Sequence, residues 1–218
     1  MATIDLTERY FTATYLEGGP ARWLVDRDRT PVRAVVLHHT AGWYGPTLGA
    51  DATPEAERAQ IDALARDHRA RFGIGPGYHY LAFPSGRLYA AGKWGTHRAH
   101  TAGRDPASGE RWNVVAIGVC AFGDFEAGPP AAGTLRALRD ALDEIRRTAG
   151  APLPVVAHGS APTVDAAGRA TPQATACPGR HLRAWLVGPD AGSEALRAAI
   201  RAARDALDRA DALLSAQD

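Results

Sequence analysis

Two short apolar runs, far apart in the chain, end on the same residue. Ala34-Val35-Val36-Leu37 runs into His38, and Pro154-Val155-Val156-Ala157 runs into His158. A short apolar run bounded by polar or turn residues reads as a buried strand, so each histidine should project from the end of one. Cys177 lies in Ala176-Cys177-Pro178-Gly179, where proline and glycine fix the backbone that aims the thiolate. Two imidazoles and one thiolate are a zinc ligand set with its fourth position left to water, as in catalytic rather than structural sites. If His38, His158 and Cys177 converge, the chain carries a hydrolase centre. Local pattern does not choose between His38 and His39, because successive strand residues point to opposite faces and both faces of this run are apolar.

The rest of the chain supplies a scaffold for such strand ends. Residues 54–72 predict a helix, with Thr53 as cap, Pro54 at its first position and Ile61, Leu64, Ala65, His68 and Phe72 on one face. Residues 78–83 and 87–91 predict strands joined by the turn Pro84-Ser85-Gly86. On that reading Tyr78 and Tyr80 share one face and His79 takes the other. Residues 92–112 read as a loop and 114–122 as a central strand. Residues 131–149 read as a helix striped by Leu135, Leu138, Leu142 and Ile145 and stopped at Gly150. After a strand at 154–158, a long polar loop leads to Cys177 and a short helix through Leu182, Trp185 and Leu186. This order predicts an α/β fold: a mixed central sheet of about five or six strands flanked by helices.

Three parts follow: an irregular arm over 1–30 with one short strand, a domain over 31–188, and a C-terminal amphipathic helix over 189–218. In the last, Leu196, Ile200, Ala203, Leu207, Ala210 and Leu214 form a heptad-spaced seam. Docking of this helix on the domain, and so a monomer, is expected; a dimer seam is the alternative.

Composition narrows the partners. The 25 Lys+Arg nearly cancel 24 Asp+Glu, for a net charge of +1, so no global field favours nucleic acid or an anionic membrane. No apolar stretch reaches the roughly 18 residues of a membrane span. Of the two cysteines, Cys120 sits in the apolar run 114–121 and reads as a core thiol, which leaves Cys177 as the ligand.

Taken together, the motifs resemble the zinc-dependent N-acetylmuramoyl-L-alanine amidases of the type-2 class, a superfamily that includes amidase-type phage lysozymes and peptidoglycan recognition proteins. The resemblance is carried in order by Val36-Leu37-His38-His39-Thr40-Ala41-Gly42, by Gly77-Tyr78-His79-Tyr80 with Ser85-Gly86-Arg87-Leu88-Tyr89, by Asn113 before Ala116-Ile117-Gly118-Val119, by Ala157-His158-Gly159, and by Thr175-Ala176-Cys177-Pro178-Gly179. It implies Zn2+ held by His38, His158 and Cys177, and a functional tyrosine at Tyr78. Thr175 stands where such enzymes keep a Lys or Thr that contacts the transition state. The chain departs from the family in two ways: the 159–176 loop is longer, and Ala116 replaces the usual serine.

What the resemblance implies is hydrolysis of the amide between N-acetylmuramic acid and L-alanine of the stem peptide, with peptidoglycan or muropeptides as partner. Tyr78 and Thr175 are the candidate donors to the oxyanion, and His100 or a zinc-bound water the candidate proton relay to the leaving amine. The loop over 93–100, with Trp94 and Arg98, is expected to rim the groove. His68 and His181 read as structural or solvated. The alternative is a non-catalytic peptidoglycan-binding module on the same fold, which the intact ligand set disfavours; a thiol hydrolase built on Cys177 and His158 leaves His38 without a role. The N-terminus lacks a basic and an apolar segment, so the expected itinerary is lysin-like, cytoplasmic accumulation followed by release to the wall, with a secreted mature form as the other reading.

Overall fold

The computed structural model describes residues 3–15, 23–164 and 169–188, with side chains from 12 to 15 left aside. In chain order the elements are β1 (Ile4–Asp5), α1 (Thr7–Tyr15), β2 (Ala34–His39), α2 (Pro54–Phe72), β3 (Tyr80–Ala82), β4 (Leu88–Ala90), α3 (Trp112–Val115), β5 (Ala116–Ala121), α4 (Ala132–Ala149), β6 (Val155–Ala157), β7 (Pro162–Val164), β8 (Ala170–Pro172) and α5 (Arg180–Val187). The expected mixed sheet has six strands in the order β1-β4-β3-β5-β2-β6. Only β3 and β4 pair antiparallel within it; the other neighbours run parallel.

Helices cover both faces, which is why β5 is apolar throughout and β2 is apolar up to His38. Val35, Leu37, Ile117 and Val119 join Leu138, Ala141 and Ile145 of α4 and Leu182 of α5 on one side. Leu81, Phe83 and Cys120 join Ile61, Leu64 and Ala65 of α2 on the other. Ile61 and Leu64 are fully buried, and each such side chain contributes roughly 1.5–3 kcal/mol. The ends of α2 follow its sequence signals. Thr53 Oγ1 accepts from the Ala56 N–H at 3.2 Å, and Gly73 closes the helix in the left-handed region at φ 74°. Gly150 does the same for α4 at φ 68°.

The structure departs from the sequence reading at four places. The N-terminal segment holds the helix α1 after its strand; β1 extends the sheet beside β4, and Tyr10 packs against α2 with its hydroxyl donating to Asp62 at 2.8 Å. Strand β5 begins at Ala116, because Val114 and Val115 belong to the short helix α3. Strand β3 begins only at Tyr80, so Tyr78 lies in the preceding bend and escapes the alternation assumed for it. Tyr78 packs with Leu81 on the α2 side and Tyr80 packs on the α4 side. The 159–176 loop contains an antiparallel hairpin, β7 with β8. That hairpin leans on the 101–112 loop: Gln173 Nε2 donates to the Ala102 carbonyl at 2.8 Å and Trp112 Nε1 to the Pro162 carbonyl at 2.5 Å.

Cys120 is a free buried thiol, as expected. Among the described residues no helix is long and apolar enough to cross a membrane. The C-terminal helix expected over 189–218 lies outside the described residues.

Candidate metal centre

Strand β2 delivers His38 to the α2 side of the sheet at its carboxyl end, in register with Cys120 of β5. It delivers His39 to the opposite side, where Nδ1 accepts from the Phe125 N–H at 3.2 Å. His38 is 1% exposed. His158 follows β6, the neighbour of β2, as the first residue of a 3-10 turn, and its ring centroid is 4.5 Å from that of His38. Cys177 arrives from the turn before α5, with its thiol 3.7 Å from His38 Nδ1 and 3.4 Å from the His39 N–H. The sequence-predicted ligands therefore converge: donor atoms of His38, His158 and Cys177 all lie within 4.8 Å of one another.

Zinc fits this set. Metal–ligand lengths of about 2.05 Å to nitrogen and 2.3 Å to sulfur at a tetrahedral angle place N and S about 3.6 Å apart, against the 3.7 Å between His38 Nδ1 and the Cys177 thiol. Burial, aided by the charges of His158 and His100, holds His38 well below the usual histidine range. Burial, then the Arg183 charge, lowers His158 to about 4. Both imidazoles are thus neutral near neutral pH with a lone pair to give. Burial pushes the Cys177 thiol up to about 12, opposed by the His39 N–H and Arg183. A buried thiol of that kind ionises when a dication takes its proton's place.

The far nitrogen of His38 is also engaged. Nε2 lies 3.2 Å from His100 Nδ1 and 3.4 Å from the Thr101 hydroxyl. His100 Nε2 faces the Ala116 carbonyl at 3.4 Å. A carbonyl only accepts, so the ring proton of His100 sits on Nε2 and its Nδ1 receives. The Thr101 hydroxyl at 2.8 Å and His38 Nε2 at 3.2 Å both face that nitrogen, so the far side of the His38 ring is engaged while Nδ1 lies toward the Cys177 thiol, the arrangement that orients a metal-binding imidazole. The loop is pinned by Asn113, whose Oδ1 accepts from the His100 and Thr101 N–H groups, each at 2.8 Å. Gly118 of β5 makes the room: a Cβ there would lie 2.6 Å from His100 Cγ.

Tyr78 stands beside the ligands, its ring 5.0 Å from His38 and 5.3 Å from His68. Burial first, then the nearby thiols of Cys120 and Cys177, raise its hydroxyl well above the usual tyrosine range, so it remains a proton donor. His68 is 5% exposed and its Nδ1 accepts from the Gly77 N–H at 2.9 Å, which ties down the backbone just before Tyr78. Thr175 Oγ1 accepts from the Cys177 N–H at 3.2 Å and so keeps its own proton to donate.

One expectation, the loop over 93–100 as the rim of a groove, fails. Arg98 does not rim a groove: it is 1% exposed, with Nη2 donating to the Ala91 carbonyl at 3.0 Å. Trp94 packs against the α4-side core, across the sheet from His38. His100, expected as a proton relay, has both ring nitrogens turned to His38, Thr101 and Ala116. Sequence reasoning missed Thr101, the carboxamide of Asn113 and the guanidinium of Arg183. Asn113 at least stands among the matching motifs; the other two carry no signal.

Comparison with known proteins adds to this geometry. The sequence pattern of the family described as N-acetylmuramoyl-L-alanine amidase matches residues 28–180. A peptidoglycan-recognition protein of Drosophila simulans is 27% identical over 158 residues, 72% of this chain and 74% of the relative. Peptidoglycan recognition protein 1 of Bos indicus is 34% identical over 117 residues; the match takes in 53% of this chain and 55% of the relative, about half its length. Among solved structures, the ectodomain complex of peptidoglycan recognition proteins LCa and LCx bound to tracheal cytotoxin aligns with TM-score 0.60 at 22% identity, over 88% of this chain and 99% of that one. The endolysin of the Thermus scotoductus bacteriophage Ph2119 aligns with TM-score 0.55 at 23% identity, over 88% of this chain and 100% of that one. At these identities the structural likeness is one of fold.

Proposed function

For a chain that belongs to the N-acetylmuramoyl-L-alanine amidase family, we propose zinc-dependent hydrolysis of the amide between the lactyl group of N-acetylmuramic acid and L-alanine of the peptidoglycan stem. The observation that carries this reading is the convergence of His38, His158 and Cys177 donor atoms within 4.8 Å. Three protein ligands of N/N/S type leave one tetrahedral position for water or substrate. A bound zinc supplies acidity to a water and polarises the scissile carbonyl.

The chain's own residues do the rest. Tyr78, a protonated phenol beside His38, is the candidate donor to the oxygen that gains charge as the carbonyl becomes tetrahedral. Thr175 offers a second hydroxyl next to Cys177. Preorganised donors of this kind act without reorganisation when charge develops. The engagement of both nitrogens of His100 supports a place behind His38 rather than at the leaving amine.

The names of the relatives describe recognition, and non-catalytic binding of peptidoglycan is the second reading. An intact ligand set supports the enzyme. Mass spectrometry of purified peptidoglycan incubated with the protein, with and without EDTA, separates the two. The amidase reading expects stem peptides with a free L-alanine amine, released only without chelator. Binding to the polymer with no released peptide in either condition overturns it.

A further inference from the structure

His158 and Cys177 reach the site from two irregular stretches of chain, and no strand pairing holds those stretches together. One direct bond does, from the Gly159 N–H to the Cys177 carbonyl at 2.7 Å. The Cys177 stretch is held further by α5. Arg183 sends Nη2 to the Thr175 carbonyl at 2.9 Å and to the Cys177 carbonyl at 3.1 Å. Its own backbone N–H bonds the Gly179 carbonyl at 3.1 Å, which seats the residue at the start of the helix. The guanidinium lies against the bare α-carbon of Gly159: a Cβ there would come 2.2 Å from Nη2 and 2.2 Å from the Thr175 carbonyl oxygen. Among the described residues no carboxylate pairs with Arg183, so this cation is committed to backbone carbonyls.

We propose that Arg183 is a positioning residue of the metal centre, a brace that fixes the Cys177 turn where Gly159 of the His158 turn packs against it, so that thiolate and imidazole stand at ligand distance. The inference rests on the zinc reading above. Arginine suits the task because its planar guanidinium can direct one nitrogen, Nη2, at both oxygens from a rigid seat, where a lysine ammonium on a flexible stem is less fixed. The residue touches neither metal nor substrate. It acts through the backbone on both sides of the thiolate, Thr175 and Cys177, while Gly159 provides the clearance.

The test is a zinc titration in competition with a chromophoric chelator, on the full chain, for the parent protein, R183M and R183K. Partners of this kind typically contribute about 10–100-fold in metal affinity, so R183M is expected to weaken zinc by about that factor, with R183K between. Cobalt in place of zinc reads the sulfur directly: the thiolate-to-cobalt charge-transfer band should weaken or shift in R183M. Thermal melting of the metal-free proteins reports the fold separately. If R183M does not fold, R183K decides alone. Zinc affinity within about twofold of the parent, with an unchanged cobalt band, overturns the proposal. A parent protein that takes up no zinc in the same titration overturns the proposed function as well, so the two failures are distinguishable.

Discussion

His38 Nε2 lies 3.2 Å from His100 Nδ1, with the Thr101 hydroxyl 2.8 Å from the same nitrogen and the Ala116 carbonyl behind the His100 ring. One buried imidazole thus backs another. The consequence is that His38 reaches the ligand cluster with Nδ1, the nitrogen 3.7 Å from the Cys177 thiol.

Replacing His100 by alanine removes the ring that backs His38 Nε2 and leaves that nitrogen only the Thr101 hydroxyl at 3.4 Å. Zinc affinity should fall roughly 10–100-fold, read by chelator competition. If affinity holds and only kcat falls, His100 works on the substrate side, as the proton relay expected from the sequence.

Cys177→Ser should lose metal and hydrolysis together. The ligand is the ionised thiolate, and a serine hydroxyl in the same buried turn does not ionise to a comparable donor. Metal analysis beside the peptide-release assay checks this. Full hydrolysis by metal-free Cys177→Ser protein would end the zinc mechanism.

Tyr78→Phe keeps the ring that packs between His38 and His68 and deletes only the hydroxyl. Zinc content and melting temperature should stay near those of the parent, while kcat falls about 10²–10³-fold, the usual loss of one transition-state donor. A parental kcat would reduce Tyr78 to packing and move the donor role to Thr175.

The ligand set is legible in the sequence because its signals are local: an apolar run ending in His38, another ending in His158, and Pro/Gly around Cys177. The sheet and the helices α2 and α4 follow from periodicity and caps for the same reason. What escapes is long-range or depends on where an element starts. Strand alternation puts Tyr78 on the face of Tyr80, because the bend before β3 leaves no mark in Gly77-Tyr78-His79-Tyr80. Arg98 reads as a groove residue because a charged side chain in a polar loop is normally solvated; its burial is a fact of packing between β4 and the loop after it. Arg183 reads as one more arginine on a short helix, and only the approach of Gly159 and the Thr175 carbonyl in space gives it a task.

Acid should destabilise the metal-free protein well above the carboxylate range, and His68 is the residue to test. Burial lowers it from 6.5 to about 4, and its Nδ1 accepts the Gly77 N–H, a bond that protonation would break. The folded pKa lies below the unfolded one. Between about pH 4 and 6.5 the unfolded chain therefore binds a proton that the folded chain does not, and stability rises with pH through that window. The contribution is complete above about 6.5 and is lost as pH falls toward about 4, at up to about 1.4 kcal/mol per pH unit for one histidine. His158, also at about 4, shares the window, and His100, at about 3, extends it downward. In EDTA the urea midpoint should drop markedly from about pH 7 to about pH 5. His68→Gln keeps an acceptor for the Gly77 N–H without a titrating ring, so its midpoint should be more level over the same range. Parallel curves for the two proteins would mean that His68 titrates near its ordinary value and that the buried seat beneath Tyr78 is open to water.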